Sequence, residues 1–198
     1  MINFHKYFIT FSFTIIFFSC SEYQKLLNSE DVSDKYKAAE KLYNEAEYRK
    51  ANRLFEMIAP KYRGKPQAER VIFFLADTYM KTKSYLLSAY EFEKFTKSYP
   101  KSQKVQEALF LEAKSYYFLS PEFSLDQDDT QTALDKLQIF INKFPKSKFL
   151  EEANILVIEM QTKLEKKDFE ISKQYYTIRD YKSAIKALDN FIANYPGT

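Results

Sequence analysis

The sequence predicts an all-α protein of tandem antiparallel helical hairpins stacked into an α-solenoid, and three observations support this fold class. First, a refrain of aromatic, three residues, aromatic, proline, one residue, then serine or threonine occurs at residues 95–102, 140–147 and 191–198. Second, only two of the 198 residues are glycine, which is too few for the many tight turns of an all-β fold. Third, apolar residues between the refrains recur at the three- and four-residue spacing of helices. Such a repeated motif indicates repeated helical units.

Each refrain is expected to end one helix and begin the next. In the first copy, Phe95 and Tyr99 are four residues apart and therefore share one helix face. The proline that follows cannot continue the helix and restricts the residue before it. Ser102 can then accept a hydrogen bond from a free backbone N–H and cap the next helix. A degraded copy, with Ile58 and Tyr62 but without the final proline, occurs earlier.

Residues 1–19 resemble the signal peptide of a bacterial lipoprotein. The apolar run over residues 7–18 is too short to span a bilayer as a helix but fits the apolar region of a signal peptide. The run ends at Ser19 and Cys20, and a small residue followed by cysteine at this position is similar to a lipobox. The resemblance implies cleavage before Cys20, lipid attachment to Cys20, and membrane association through that lipid. The alternative is a plain N-terminal membrane anchor with an incidental cysteine.

After a lipidated N-terminus and short polar tether at residues 20–32, the predicted solenoid occupies residues 33–198. Its hairpins are similar to tetratricopeptide repeats, which have a period of about 34 residues. The first repeat has Tyr36 and Tyr43 on one helical stripe, and its second helix ends near Tyr62. The second repeat matches best, because small and aromatic residues stand at the spacing that the pattern requires. These residues are Leu75, Ala76, Tyr79, Ser88, Phe92 and Pro100.

The third repeat has Ala113 in its first helix and Ala133 in its second, with an insertion over residues 120–129 between them. The acidic residues of the insertion raise the question of a cation site, but the glycine and the terminal glutamate of a calcium loop are missing. Carboxylates fit better at the start of the following helix, where negative charge is favourable. We therefore expect no metal site.

Beyond the third repeat, a stripe from Phe149 to Leu164 at spacings of 4, 3, 4 and 4 predicts a long helix. Asp168 is expected to cap a further helix that carries Tyr175, and a last helix covers residues 181–195. A fourth repeat with a partial fifth, and one long repeat, both remain open. Because a solenoid normally closes with a polar capping helix and none is visible, we expect the sequence to lack its C-terminal end.

The residue inventory excludes several function classes. The 30 Lys+Arg against 27 Asp+Glu give a net charge of +3, which is too small and too interleaved for a nucleic-acid-binding surface. His5 and Cys20 are the only histidine and cysteine, so the mature chain lacks the residues for Ser-His or Cys-His catalysis and for His/Cys zinc sites. Two glycines leave no Gly-rich phosphate loop. We expect a binding scaffold rather than an enzyme, with no cofactor.

A scaffold of this kind binds on the concave face formed by the first helix of each repeat. Its inward positions predict a peptide-binding groove with aromatic walls and a few fixed charges, although some of the aromatics are expected to pack between repeats instead. Such a groove suits an extended or helical peptide that carries aromatic side chains and a carboxylate. The predicted groove residues are Tyr36, Tyr43, Arg70, Phe73, Asp77, Lys81, Phe110, Lys114 and Tyr117.

The lipobox, the hairpins ending in Tyr-Pro-x-Ser, the third-repeat insertion and the order of the later aromatics together resemble the BamD family of the outer-membrane β-barrel assembly machinery. The resemblance covers nearly the whole mature chain. It implies a lipoprotein on the periplasmic face of the outer membrane whose C-terminal repeats dock on a BamA-like barrel protein. It also implies N-terminal repeats that receive the aromatic-ended signal of unfolded outer-membrane proteins. From location alone, we predict the docking surface at Tyr176, Arg179, Asp180 and Lys182.

Two alternatives remain open. One is a periplasmic tetratricopeptide coordinator of envelope constriction and peptidoglycan synthesis, of the Tol–Pal type. That family usually brings an N-terminal coiled coil, and no sustained heptads precede Ser33. The other is a glycan-capturing lipoprotein with helical repeats. Those proteins are far longer and use tryptophan-rich platforms, whereas this chain has no tryptophan.

Overall fold

The computed structural model describes residues 22–196, and every regular element within that range is an α-helix. The first helical segment, α1, covers residues 22–28. The others are α2 (Val32–Asn44), α3 (Tyr48–Tyr62), α4 (Ala68–Lys81), α5 (Tyr85–Ser98), α6 (Val105–Leu119), α7 (Asp128–Lys143), α8 (Leu150–Thr177) and α9 (Tyr181–Asn194). The prediction of an all-α protein made of helical hairpins is confirmed.

The described residues divide into two compact units, residues 22–78 and residues 79–196, and the boundary falls inside α4. In the first unit, α2 and α3 pack as a hairpin, and Ala51 of α3 is fully buried. Phe55 of α3 stacks on Phe74 of α4, with ring centroids 5.6 Å apart. Aromatic and small side chains therefore form this core, as the repeat pattern requires.

Part of the predicted tether is helical and docked. Tyr23 Oη in α1 donates to the Lys50 carbonyl at 3.1 Å, and Lys35 Nζ in α2 donates to the Leu27 carbonyl at 2.9 Å. Lys35 is buried, so this bond satisfies an ammonium that water hardly reaches. The two bonds tie residues 22–28 to the first hairpin.

In the second unit, α5 to α9 pack each on its neighbour in chain order, which is the arrangement of a solenoid. Ala113, Ala133 and Ala153 are fully buried. Their small side chains let α6, α7 and α8 approach closely. Phe110 and Phe140 fill the space beside them and are also buried.

The refrains form helix ends with one common geometry. The two aromatic rings of each copy are in contact, with centroids 5.5, 5.7 and 5.2 Å apart in Phe95–Tyr99, Phe140–Phe144 and Phe191–Tyr195. Ser102 Oγ accepts from the Lys104 N–H at 2.9 Å, and Ser147 Oγ accepts from the Phe149 N–H at 3.1 Å. The refrain hydroxyl thus bonds a free N–H as predicted, but the prediction that it caps the next helix is wrong. The N-cap residues are Lys104 and Phe149, two positions after each serine, and neither helix has a side-chain capping bond.

The connections α2–α3, α4–α5 and α8–α9 have three residues each. The middle residue of each has a left-handed backbone, with φ of 60° at Ala46, 64° at Lys83 and 66° at Arg179. In each case the N–H of the following residue donates to the carbonyl five residues earlier, which ends the first helix with a Schellman motif. Between α6 and α7, residues 120–127 replace this turn, at the place where the insertion was predicted.

The prediction that Asp168 caps a separate helix is wrong. The helix α8 runs without interruption for 28 residues, and Asp168 lies in its interior. The Asp168 carboxylate instead accepts a hydrogen bond from Tyr195 Oη at 2.9 Å. This bond joins the end of α9 to the middle of α8, so the two helices form one hairpin in which α8 is the longer helix.

Candidate peptide-binding and docking surfaces

In the first unit, a charged and aromatic cluster joins α2 to α4. Arg70 Nη2 lies 2.7 Å from Glu40 Oε1, and Tyr36 Oη donates to the same carboxylate at 2.6 Å. Partial burial and then the hydrogen bond to Glu40 raise the pKa of Tyr36 to about 12. The Arg70 guanidinium also lies 5.5 Å from the Phe74 ring centroid, and its side chain is 64% exposed. Arg70 is therefore both oriented and accessible to a ligand.

Further along the same helices, Tyr43 Oη donates to Asp77 Oδ2 at 2.5 Å, and the Tyr43 ring packs 4.7 Å from the Phe74 ring. Asp77 and Phe73 were predicted to line the groove, but both are buried, at 5% and 7% exposure. Their side chains belong to the packing between helices, and the structure corrects the prediction at these two positions. Tyr43 remains half-buried at the surface.

In the second unit, two polar bridges join α6 to α8 in a similar way. Lys114 Nζ lies 2.5 Å from Glu152 Oε1, and Tyr117 Oη donates to Glu159 Oε2 at 2.5 Å. The bond to Glu159, together with partial burial, raises the pKa of Tyr117 to about 12. Each unit thus carries one cation–carboxylate and one tyrosine–carboxylate bridge between the first helices of neighbouring repeats. These helices are α2 and α4 in the first unit and α6 and α8 in the second. Lys81, also predicted for the groove, is exposed.

Phe110 is a third correction. It is 1% exposed, and its ring stacks on the ring of Phe149 with centroids 4.9 Å apart. The Phe140 ring centroid lies 5.4 Å away. It therefore belongs to the core and cannot contact a peptide. The accessible aromatic nearby is Phe118, which is 43% exposed and stacks on Tyr85 at 4.7 Å.

The carboxylates of these bridges were not all identified from the sequence. Asp77 follows Tyr43 by 34 residues, which is one repeat period and a usable signal. Glu152 and Glu159 follow their partners by 38 and 42 residues, because the insertion lengthens the third repeat. The period that would have indicated the second pair of bridges is therefore obscured.

The four predicted docking residues come together at the turn between α8 and α9. Tyr176 is 62% exposed and lies 5.7 Å from the ring of Tyr181, in an edge-on arrangement. Asp180 Oδ2 accepts from Ser183 Oγ and its Oδ1 accepts from the Ser183 N–H, and these two bonds hold the pKa of Asp180 below its usual range. Asp180 thus caps α9, while Arg179 and Lys182 lie exposed beside it.

Residues 22–196 contain no group of three or more His, Cys, Asp or Glu side chains arranged to hold a metal ion. Over the same range, no helix combines the length and the apolar content needed to cross a bilayer. Of the acidic residues of the insertion, Asp128 and Asp129 lie in the first turn of α7, and Asp126 Oδ1 accepts from the Asp128 N–H at 2.9 Å. Cys20, the predicted lipid-bearing residue, lies outside the described residues.

Comparison with known proteins assigns the chain to a family. A family model described as YfiO, outer membrane lipoprotein, matches residues 28–198. The chain belongs to the YfiO family of outer membrane lipoproteins. This membership confirms the resemblance read from the sequence and places the protein at the outer membrane.

Two curated relatives carry the same name, outer membrane protein assembly factor BamD. The protein of Helicobacter pylori is 22% identical over 142 residues, which cover 70% of this chain and 64% of the relative. The protein of Rickettsia prowazekii is 28% identical over 170 residues, which cover 79% of this chain and 65% of the relative. The chain therefore spans slightly less than two thirds of the length of these two relatives.

Proposed function

We propose that this protein is a non-catalytic assembly factor for outer-membrane proteins, held at the periplasmic face of the outer membrane by a lipid on Cys20. Family membership and the shared name of the two relatives support this role. In this proposal, residues 1–19 are removed as a signal peptide and residues 20–32 connect the lipid to the repeats. Residues 33–198 are the binding scaffold.

The observation that carries the proposal is the exposed aromatic turn between α8 and α9. Tyr176, Ile178 and Tyr181 are 62%, 65% and 54% exposed, an unusual concentration of large apolar side chains at one turn. Tyrosine and arginine are enriched among the residues that dominate protein interfaces. We propose that this turn docks on a BamA-like barrel protein, with Arg179 and Lys182 facing acidic groups of the partner.

The faces formed by α2 and α4 in the first unit and by α6 and α8 in the second are proposed to bind segments of unfolded outer-membrane proteins. In the first unit, the exposed Arg70 guanidinium beside Phe74 offers a cation next to an aromatic ring. In the second, Lys114 Nζ lies 6.0 Å from the ring of the exposed Phe118 and offers the same combination. An extended peptide with an aromatic side chain and a carboxylate fits each pair.

The test is a pull-down from native membranes with the tagged full-length lipoprotein as bait and mass spectrometry of what it retains. We expect a barrel protein with periplasmic domains as the main prey. The double variant Arg179→Glu, Lys182→Glu should lose most of it, because the docking charges are reversed. A matched control, Lys146→Glu with Lys148→Glu, reverses two exposed lysines at the turn between α7 and α8 and should retain it.

Retention of the barrel protein by the Arg179 and Lys182 variant at the level of the control would refute the docking surface. Recovery of Tol–Pal or peptidoglycan-associated proteins, without a barrel protein, would refute the assembly role itself. The peptide-binding face is tested separately, because Arg70→Ala should weaken binding of an unfolded outer-membrane protein while leaving capture of the barrel protein intact. Equal binding by Arg70→Ala and the parent would remove Arg70 from the site.

A further inference from the structure

The insertion between α6 and α7 is an ordered loop with its own polar framework. Gln127 Nε2 donates to the carbonyls of Glu122, Leu125 and Asp126 at 2.8, 3.0 and 3.2 Å. Its Oε1 accepts from Thr130 Oγ1 at 2.7 Å. One side chain therefore fixes the path of residues 122–127 and joins it to the first turn of α7.

Three lysines of α8 hold the other side of this loop. Lys163 Nζ donates to Ser120 Oγ at 2.7 Å, Lys166 Nζ lies 4.2 Å from the Phe123 ring centroid, and Lys167 Nζ donates to the Leu125 carbonyl. Within residues 22–196, none of the three forms an ion pair with a carboxylate. The charges of Glu122 and Glu159 act on Lys163, whereas Lys166 contacts a ring and Lys167 a neutral carbonyl. Lys166 and Lys167 therefore carry the positive charge of the seam.

The loop and α8 form a cavity of about 440 Å³ beside this seam that is half open to solvent. Phe123 and Ile171 supply its apolar surface, and Ile171 is 40% exposed. Lys167 and Lys173 supply cations, and Glu170 is the acidic lining residue. Ligand pockets in proteins have volumes of roughly 300–1,000 Å³, so the cavity can take one large side chain and part of its backbone.

Glu170 does not make the cavity electrically neutral. Its carboxylate lies 3.4 Å from Lys173 Nζ, one turn along the same helix, and so offsets that lysine. Lys167 uses its ammonium on a neutral carbonyl and keeps its charge for a ligand. Lys166 is not a lining residue, but its Nζ lies over the Phe123 ring. An anionic group entering beside Phe123 would therefore meet Lys167 in the cavity and Lys166 at the ring, without a competing carboxylate on those two side chains.

We propose that this cavity binds an internal acidic–aromatic segment of a partner polypeptide. The aromatic side chain inserts between Phe123 and Ile171, and the neighbouring Asp or Glu carboxylate pairs with Lys167 and Lys166. Free chain termini are usually captured by nests of backbone N–H groups, whereas the lining of this cavity offers the side-chain ammonium groups of Lys167 and Lys173. The site therefore favours a side-chain carboxylate. It uses none of the residues of the two surfaces proposed above, but its lining also includes Gln174 and Thr177 and so adjoins Tyr176 of the docking turn.

The test uses a fluorescent, N-acetylated and C-amidated peptide, Gly-Ser-Phe-Glu-Ser-Gly, titrated with the full chain in detergent micelles and followed by anisotropy. Saturable binding is expected, and it should weaken at high salt because the pair with Lys167 is screened. Lys167→Gln and Ile171→Ser should each weaken binding about tenfold. Lys186→Gln and Ile155→Ser remove an exposed lysine and an exposed isoleucine of the same unit outside the cavity and should change it less than about twofold.

A charge exchange gives an independent readout. Lys167→Glu should lose the Phe-Glu peptide and gain a Phe-Lys version, which a merely structural role of Lys167 would not produce. Lys166→Gln, at an exposed position, provides a second variant if Ile171→Ser does not fold, as judged by circular dichroism. Absence of saturation at the highest soluble protein concentration, or equal weakening by the control variants, would overturn the proposal.

Discussion

Glu112 is the most deeply buried charged side chain of the second unit, and its charge is paired with one lysine. It is 2% exposed, and its Oε1 lies 2.5 Å from Lys136 Nζ on α7. Lys136 is also 3.7 Å from Glu93 on α5. We predict that Lys136→Met, which keeps the aliphatic length but removes the charge, leaves a buried carboxylate without its cation.

The expected loss follows from the burial of the two partners. Breaking a fully buried ion pair costs about 3–5 kcal/mol. The Lys136 side chain is 27% exposed, so water can partly replace the ammonium, and we expect a loss of about 2–4 kcal/mol at neutral pH. Replacing both partners, as Glu112→Gln with Lys136→Met, should bring the free energy of unfolding back to within about 1 kcal/mol of the parent, because no buried charge remains.

The loss should depend on pH. Burial raises the pKa of Glu112, although the hydrogen bond and the charge of Lys136 oppose that rise. Burial lowers the pKa of Lys136, but the hydrogen bond to Glu112 and the charges of Glu112 and Glu93 together outweigh burial and leave the pKa raised. When a carboxyl has a higher pKa in the folded than in the unfolded state, the protein loses stability as pH rises through the folded-state pKa. Without Lys136 the pKa of Glu112 rises further, so the destabilisation should shrink as pH falls and Glu112 takes up a proton.

The assay is urea unfolding followed by circular dichroism at neutral pH and at about pH 4.5, near the ordinary pKa of a glutamate. Lys97→Met, which removes an exposed lysine paired with Glu93, is the control for loss of a surface ion pair and should cost less than about 1 kcal/mol. A loss for Lys136→Met no larger than for Lys97→Met, or one that does not change with pH, would refute the reasoning.

Three further predictions concern the turns, the packing and the tyrosine bridges. Lys83→Gly should raise the free energy of unfolding by about 0.5–1 kcal/mol by relieving a φ of 64°, whereas Lys146→Gly, at a position without positive φ, should not, as measured by urea unfolding. Ala113→Leu should cost about 1–3 kcal/mol because the site is fully buried between helices, and Ala193→Leu, at an exposed site, should be nearly neutral in the same assay. Glu159→Gln should lower the pKa of Tyr117 from about 12 toward about 10, so that ultraviolet difference spectra near pH 11 show an additional ionised tyrosine, and Glu151→Gln should leave the spectrum unchanged.

The sequence predicted the helix ends of the refrain because they depend on neighbouring residues. Phe95 and Tyr99 meet through helical spacing alone, and Ser102 reaches a backbone N–H only two residues away. The position of the insertion followed from the same local pattern. What the protein binds at the insertion could not follow, because the cavity needs α8 to bring Lys166 and Lys167 against the loop.

Tertiary structure decided which of the predicted groove residues are accessible. Phe110 occupies an inward position in the repeat pattern, yet Phe149, 39 residues later, covers it. Aspartate often caps helices, but Asp168 lies inside α8, where its carboxylate accepts a hydrogen bond from Tyr195. Sequence determines these elements through contacts within one turn of the chain, whereas exposure is set by helices a whole repeat apart. That separation is why the fold was predictable and the composition of the binding face was only partly so.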